Sequence, residues 1–220
     1  MKIRKRDKKQ MFASPGLLTA VTLCLTAGLS LPGSLRAETG DAFLYVGLGP
    51  SFSSLEGTDG DVGQRIGIGF DFTDTVYAKF GYASTGDLAA DEEGKAAFAI
   101  GFSSVSGGST TINDLDTTIT GFTAAIGTRV DLAEATSAFF EIGLFSWDAE
   151  VSVSGFDTVL GSFDVSEDVF DGTDLTFGIG LEQRVNSSVG LGASYNGYLT
   201  SDGELEENQS ILSLDLNLYF

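Results

Sequence analysis

Leu212-Ser-Leu-Asp-Leu-Asn-Leu-Tyr-Phe220 closes the sequence, and its reading decides the fold. Leu212, Leu214, Leu216, Leu218 and Phe220 alternate with Ser213, Asp215, Asn217 and Tyr219. A period of two is a β-strand with one apolar face. The same period recurs upstream. In 42–52, Ala42, Leu44, Val46, Leu48, Pro50 and Phe52 share a face, and the other face holds Gly47 and Gly49. Ile66, Ile68, Phe70 and Phe72 alternate with Arg65, Gly67, Gly69 and Asp71. After a break at Thr73–Thr75, Val76, Ala78, Phe80 and Tyr82 alternate with Tyr77, Lys79, Gly81 and Ala83. Segments 117–132, 137–149, 174–185 and 189–199 repeat the pattern.

The polar face of these strands is mostly Gly, Ser, Thr and Ala with isolated charges, and the apolar face is Phe, Ile, Leu and Val. Small polar residues suit a cramped lumen, and the apolar face suits lipid. A tilted strand of about 9–11 residues is long enough to cross a bilayer. Only a closed barrel leaves no unpaired edge there. The sequence therefore predicts an all-β, closed antiparallel transmembrane barrel; a soluble sandwich is the alternative.

The amino terminus predicts export. Lys2, Arg4, Lys5, Arg6, Lys8 and Lys9 precede an apolar stretch from Gly16 to Leu31, and small residues lead to Ala37-Glu38. That is the pattern of a cleaved secretory signal peptide over 1–37, leaving 38–220 as one barrel domain. The apolar stretch is short of the ~20 residues that a transmembrane helix needs. Cys24 follows Leu23 inside the apolar stretch and reads as part of it, not as a lipoprotein cysteine.

Composition removes most chemistry. The 220 residues include no His and one Cys. No imidazole is available for nucleophilic catalysis or metal ligation, and no disulfide can form within the chain. A net charge of −19 argues against nucleic acid as a partner, because phosphate binding depends on Lys and Arg. From Glu38 onward, 30 acids face five bases (Arg65, Lys79, Lys95, Arg129 and Arg184), a formal charge of −25. The Gly-x-Gly pairs never open a helix, so they predict close packing in a narrow barrel, not a dinucleotide site. We assign no catalytic, cofactor or metal residue from the sequence, and expect neither an enzyme nor a bound cofactor.

A family resemblance sharpens the architecture. Gly69-Phe-Asp-Phe-Thr-Asp-Thr-Val-Tyr-Ala-Lys-Phe-Gly-Tyr82 resembles the second strand, tight turn and third strand of the outer-membrane protein A-like barrels. Glu141-Ile-Gly-Leu-Phe-Ser-Trp-Asp148 resembles their fifth strand, with Trp147 at the family's usual Trp. Gly172-Thr-Asp-Leu-Thr-Phe-Gly-Ile-Gly-Leu-Glu182 resembles the sixth and Leu212–Phe220 the eighth. The resemblance covers the barrel alone, without a peptidoglycan-binding domain. It implies eight strands, short periplasmic turns, longer extracellular loops, and residence in the outer membrane of a Gram-negative bacterium. Leu212, Leu214, Leu216, Leu218 and the terminal Phe220 look like the assembly signal of such barrels. The expected partners are outer-membrane lipid and lipopolysaccharide, the barrel-assembly machinery and periplasmic chaperones, with the barrel a monomer.

Segment 96–105 reads as a further strand and would make nine, whereas such bacterial barrels carry an even number. We therefore assign 85–116 to the second outer loop, with 95–105 a strand or hairpin arm reaching outward; ten strands is the alternative. The other outer loops are expected at 54–62, 152–172 and 200–208, and the inner turns at Thr73–Thr75, Ala133–Thr136 and Ser187–Ser188. Phe43, Tyr45, Phe72, Tyr82, Phe140 and Phe220 are expected in the aromatic girdle or facing lipid.

Two sets of charges are candidates for function. Arg65, Lys79, Arg129 and Arg184 fall on the polar strand faces, as do Asp71, Asp131, Glu141, Asp174, Glu182 and Asp215. Unpaired charge in a narrow lumen is costly, so these are expected to pair across it. The expected pairs are Lys79 with Glu182 or Glu141, and Arg129 and Arg184 with Asp131 or other acids near the periplasmic end. The resemblance does not transfer cleanly here: Lys79 stands where the family's lumen cluster has an acid, and Ala125 and Gly192 stand where it has bases. The second set is the loop acids: Glu56, Asp59 and Asp61; Asp87, Asp91, Glu92, Glu93, Asp114 and Asp116; Asp157, Asp164, Glu167, Asp168 and Asp171; Asp202, Glu204, Glu206 and Glu207. These invite weak divalent-cation association, against simple hydration of the loops. The functions expected are a structural role with a largely plugged lumen, surface adhesion through acidic loops, or a narrow small-solute pore.

Overall fold

The computed structural model describes residues 42–54, 58–201 and 206–220. The predicted signal peptide and Glu56, Asp202 and Glu204 lie outside the described residues. Eight long strands follow one another: β1 (Ala42–Ser53), β2 (Val62–Asp71), β3 (Val76–Ala90), β4 (Thr110–Ala133), β5 (Thr136–Asp157), β6 (Gly161–Arg184), β7 (Val189–Ser201) and β8 (Glu206–Tyr219). Each pairs antiparallel with its neighbour in sequence. β1 also pairs with β8, Phe43 opposite Tyr219 and Val46 opposite Leu216, which closes the ring. The exterior is apolar and exposed: Leu214 is 75%, Phe122 70%, Ile126 60% and Ile142 54% accessible. The inner turns fall where expected, between Asp71 and Val76, Ala133 and Thr136, and Arg184 and Val189.

The outer side differs from expectation. Segment 95–105 is not a strand: Glu92–Ser106 forms a helix, α1. Its ends explain the difference. Asp91 Oδ1 accepts from the Gly94 N–H at 2.8 Å, Glu92 and Glu93 occupy the first turn, and Gly107 takes the left-handed conformation (φ 73°) just past the end. An acidic first turn, an Asp cap and a C-terminal Gly are helix signals that outweigh a short alternating run. Nor are 85–116 and 152–172 loops. β3 continues to Ala90 and β4 begins at Thr110, while β5 and β6 join through Thr158–Leu160 alone. In the first outer connection, Thr58 and Asp59 pair with Ala90 and Ala89.

These extensions make the barrel asymmetric. β4, β5 and β6 rise well past the other strands as a three-stranded wall. α1 docks on its inner face, where Phe102 stacks on Phe163 at 5.0 Å between centroids. Asp157 pins the tip: its Oδ2 accepts from Ser106 Oγ at 2.8 Å and Thr110 Oγ1 at 2.6 Å, and its Oδ1 accepts from the Val159 and Leu160 N–H groups.

The wall also inverts the polarity of its faces. Along the outward face of β5, Phe140, Ile142 and Leu144 give way to Ser146, Asp148, Glu150, Ser152 and Ser154. On β6 the sequence outward from Ile179 and Leu175 passes to Asp171, then across a one-residue bulge to Asp168, Ser166 and Asp164. On β4 it passes from Ile126 and Phe122 to Asp116 and Asp114. The inner face turns apolar over the same span, with Ile119 and Ala149 buried and Val151 and Val153 half-buried. A strand crossing from hydrocarbon into water must exchange its polar and apolar faces at the boundary. Here the exchange lies between Leu144 and Asp148.

Candidate functional site

The lumen is filled in layers. Nearest the inner turns, Phe43, Tyr45, Tyr77, Phe139 and Tyr219 are buried together. Phe43 and Tyr45, expected in the girdle, thus point inward. Their parity with Gly47 and Gly49 on β1 is the signal for this, and it outranks aromatic character. Glycine across the barrel wall makes the room: Phe43 lies over Gly69, Tyr77 over Gly127 and Phe139 over Gly180. At the far end, Ala83, Ile119, Phe145, Trp147, Ala149, Tyr198 and Ile211 form a second apolar layer. Trp147 donates from Nε1 to Asp174 Oδ2 at 2.8 Å.

Charges sit between and beneath these layers. Lys79 Nζ is 2.5 Å from Glu141 Oε1, which also accepts from Tyr77 OH at 2.8 Å. Arg65 spans Glu141 Oε2 at 3.8 Å and Asp215 Oδ1 at 4.0 Å, and donates to Ser194 Oγ at 3.3 Å. Ser213 Oγ donates to Asp215 Oδ1 at 2.9 Å. Lys79 Nζ further lies 5.0 Å from the centroids of both Tyr45 and Phe139, within cation–π range. The space left among Tyr45, Arg65, Lys79, Glu141, Asn196 and Tyr198 is about 10 Å³, room for one water.

A second ionic group lies at the end of the short inner turns. Arg129 NH1 is 2.6 Å from Asp71 Oδ1 and stacks on Tyr77, its guanidinium carbon 4.2 Å from the ring centroid. Arg184 Nε is 3.0 Å from Glu182 Oε1 and stacks on Tyr219 at 3.3 Å. Glu182 also accepts from Tyr219 OH at 2.6 Å and Asn217 Nδ2 at 2.8 Å. Asp131 is exposed, so of the partners expected for Arg129 and Arg184, Asp131 or other acids near that end, it is the other acids, Asp71 and Glu182, that pair with them. Of the two acids expected for Lys79, Glu141 is the neighbour, because β3 and β5 each lie one strand from β4. Leu212 and Leu214 are exposed on the outer face and Leu216 half-buried, while Leu218 is 7% exposed and Phe220 50%.

The arrangement orders charge and presents no reaction centre. Among the described residues, no three carboxylates or other ligating side chains are grouped so as to hold a metal ion. Two carboxyls on the wall have displaced titration. Hydrogen bonds, first that from Thr110, hold Asp157 well below the usual carboxylate range. Burial, with Asp114 and Asp87 nearby, pushes Asp116 up.

This geometry has counterparts among known proteins. The family described as outer membrane protein beta-barrel domain matches residues 21–220. No curated protein sequence matches the chain. Among solved structures it is similar to Ail, the attachment invasion locus protein of Yersinia pestis, at 18% identity over 83% of this chain and 100% of that one, TM-score 0.50. It is similar to neisserial surface protein A, NspA, at 16% identity over 83% and 98%, TM-score 0.55. It also resembles the outer membrane protein AlkL, at 12% identity over 86% and 94%, TM-score 0.50. At such identities the likeness is one of fold.

Proposed function

The chain belongs to the outer membrane protein beta-barrel domain family, and from that premise we propose that it serves the outer membrane structurally, as a barrel whose lumen is plugged. The observation that carries this is the stacking of two ionic groups and two apolar layers across one narrow lumen. Salt bridges there connect strands that are not neighbours in the ring: Lys79 on β3 with Glu141 on β5, and Arg65 on β2 with Asp215 on β8. Buried pairs of this kind cross-link the wall of the barrel and compensate each other's charge in place of mobile ions. Its surroundings are lipid and lipopolysaccharide, reached through the barrel-assembly machinery.

Conductance of the refolded protein in a planar bilayer tests the plug. Silence supports it, and steady discrete channels would replace it with a pore. A second reading, recognition at the cell surface, is favoured by the wall, because a regular sheet reaching beyond the apolar band is more than a barrel needs to close.

A further inference from the structure

We infer that the outer edge of β6, residues 161–173, is a docking site for an extended, basic polypeptide segment, which adds to the wall as a further strand. This rests on the recognition reading and names its partner chemistry.

β6 has an open edge above the barrel rim. β7 pairs with β6 only from Thr176, opposite Tyr198, to Arg184, opposite Gly190. From Gly161 to Thr173 one side of β6 is paired with β5. Among the described residues, no strand pairs with the other side of that stretch. Asp164, Val165, Ser166, Glu167, Asp168 and Val169 are all exposed, whichever face they occupy. Such an edge, with its row of outward backbone N–H and C=O groups, is a template for another strand. The opposite edge of the wall is different: there β4 lies beside α1.

The open edge is also charged with one sign. Gly161–Thr173 contains Asp164, Glu167, Asp168 and Asp171, and no Lys, Arg or Pro. Proteins commonly protect free edges with Lys, Pro or inward charge. Here the protection is purely acidic, so a second copy of the same edge is repelled and a basic strand is not.

Like charges face one another just inside the edge. Asp148 stands opposite Asp171, and Glu150 opposite Asp168, in adjoining cross-strand pairs. Like charges directly opposite destabilise a sheet, and a cation bridging them reverses the sign of that contribution. The outward face continues into a groove of about 370 Å³ walled by Asp114, Asp116, Asp164 and Phe156, within reach of long Lys or Arg side chains from an added strand. Backbone pairing supplies the orientation and the acids select the sequence.

The test uses the folded full-length barrel in lipid nanodiscs and fluorescent synthetic peptides long enough to span the edge. A peptide of alternating Lys and Thr should bind saturably and slow amide hydrogen exchange across 163–172. A Lys–Thr peptide N-methylated at every backbone amide carries the same charge but donates no backbone hydrogen bond, and should bind about tenfold more weakly or worse. The double variant Asp164→Lys, Glu167→Lys changes exposed side chains only, and its folding is checked by heat-modifiable gel migration. It should lose the Lys–Thr peptide by a similar factor and gain affinity for a Glu–Thr peptide. Equal binding of the N-methylated peptide would reduce the interaction to diffuse electrostatics and overturn strand addition. Unchanged exchange across 161–173, or binding indifferent to the double variant, would also overturn it. A channel-silent protein that fails these tests would retain its plugged-barrel role.

Discussion

Lys79 Nζ and Glu141 Oε1 lie 2.5 Å apart across the lumen, although 62 residues separate them in the chain. Both side chains are over nine-tenths buried. Removing Glu141 leaves Lys79 charged, desolvated and unmatched, which costs about 3–5 kcal/mol, and removing Lys79 leaves Glu141 with the longer 3.8 Å contact to Arg65 as its ion pair. Glu141→Gln and Lys79→Ala should each lower the urea midpoint of the refolded barrel in lipid vesicles and raise small-ion leakage. A double Lys79→Met, Glu141→Leu variant should recover much of the stability. If the single variants unfold like the parent, the pair contributes nothing and its proximity is incidental.

The exchange of faces along β5 makes a sharper comparison. Ile142 and Ser154 share the outward face, one within the apolar band and the other above it. Arg at a bilayer midplane position costs about 2–4 kcal/mol and far less near the interface. Ile142→Arg should therefore impair membrane assembly, and Ser154→Arg should not, as scored by unboiled gel migration. Leu214→Asp should resemble Ile142→Arg in direction, since Leu214 is 75% exposed on the lipid face.

The wall tip should depend on pH with a known sign. Asp157 has a folded-state pKa below its ordinary 3.8, because hydrogen bonds from Thr110, Ser106 and two backbone amides favour the carboxylate. Its contribution is fully present above the ordinary value and is lost as pH falls below it. Limited proteolysis should therefore begin to cut between α1 and β4 only under strongly acid conditions in the parent protein. In Asp157→Ala the same cut should appear at neutral pH.

Two glycines should respond oppositely to alanine. A Cβ at Gly180 would stand 2.5 Å from Phe139 Cζ and 2.6 Å from the Ala193 carbonyl oxygen. Crowding of that kind costs about 1–3 kcal/mol, so Gly180→Ala should lower the unfolding midpoint. At Gly101, in the middle of α1, a Cβ would meet open space, with no packed neighbour within 4 Å. Gly101→Ala should slow hydrogen exchange in α1, because Ala gains roughly 0.5–1 kcal/mol over Gly in a helix.

Most of the architecture is legible in the sequence because a membrane strand has only one alternation to obey. Periodicity locates every inner turn, the family resemblance supplies the count of eight strands, and the parity of Arg65, Lys79, Glu141 and Glu182 puts them in the lumen. Other features escape it. Residue type sends Phe43 and Tyr45 to the girdle, although their parity with Gly47 and Gly49 assigns them inward. A local alternation suggests a strand at α1, although its Asp91 cap and Gly107 stop carry the stronger local energies. The acids of the wall suggest hydrated loops; a strand above the bilayer obeys the same period with its faces exchanged, and period alone does not announce which solvent lies outside. Ion-pair choice is harder still, since Lys79 to Glu141 depends on which strands are two apart around the ring.

The reversal between Leu144 and Asp148 also acts as a waterline. Raising the barrel by two residues along β5, about 5 Å at the usual rise and tilt, would lift Leu144 and Leu175 into water. Sinking it equally would drag Asp148 and Asp171 together into hydrocarbon, each facing the other's like charge. The draught of the molecule is thus held from both directions by the same few positions. A bilayer of different thickness must bend to meet that line, since the protein has no cheap way to float higher or lower.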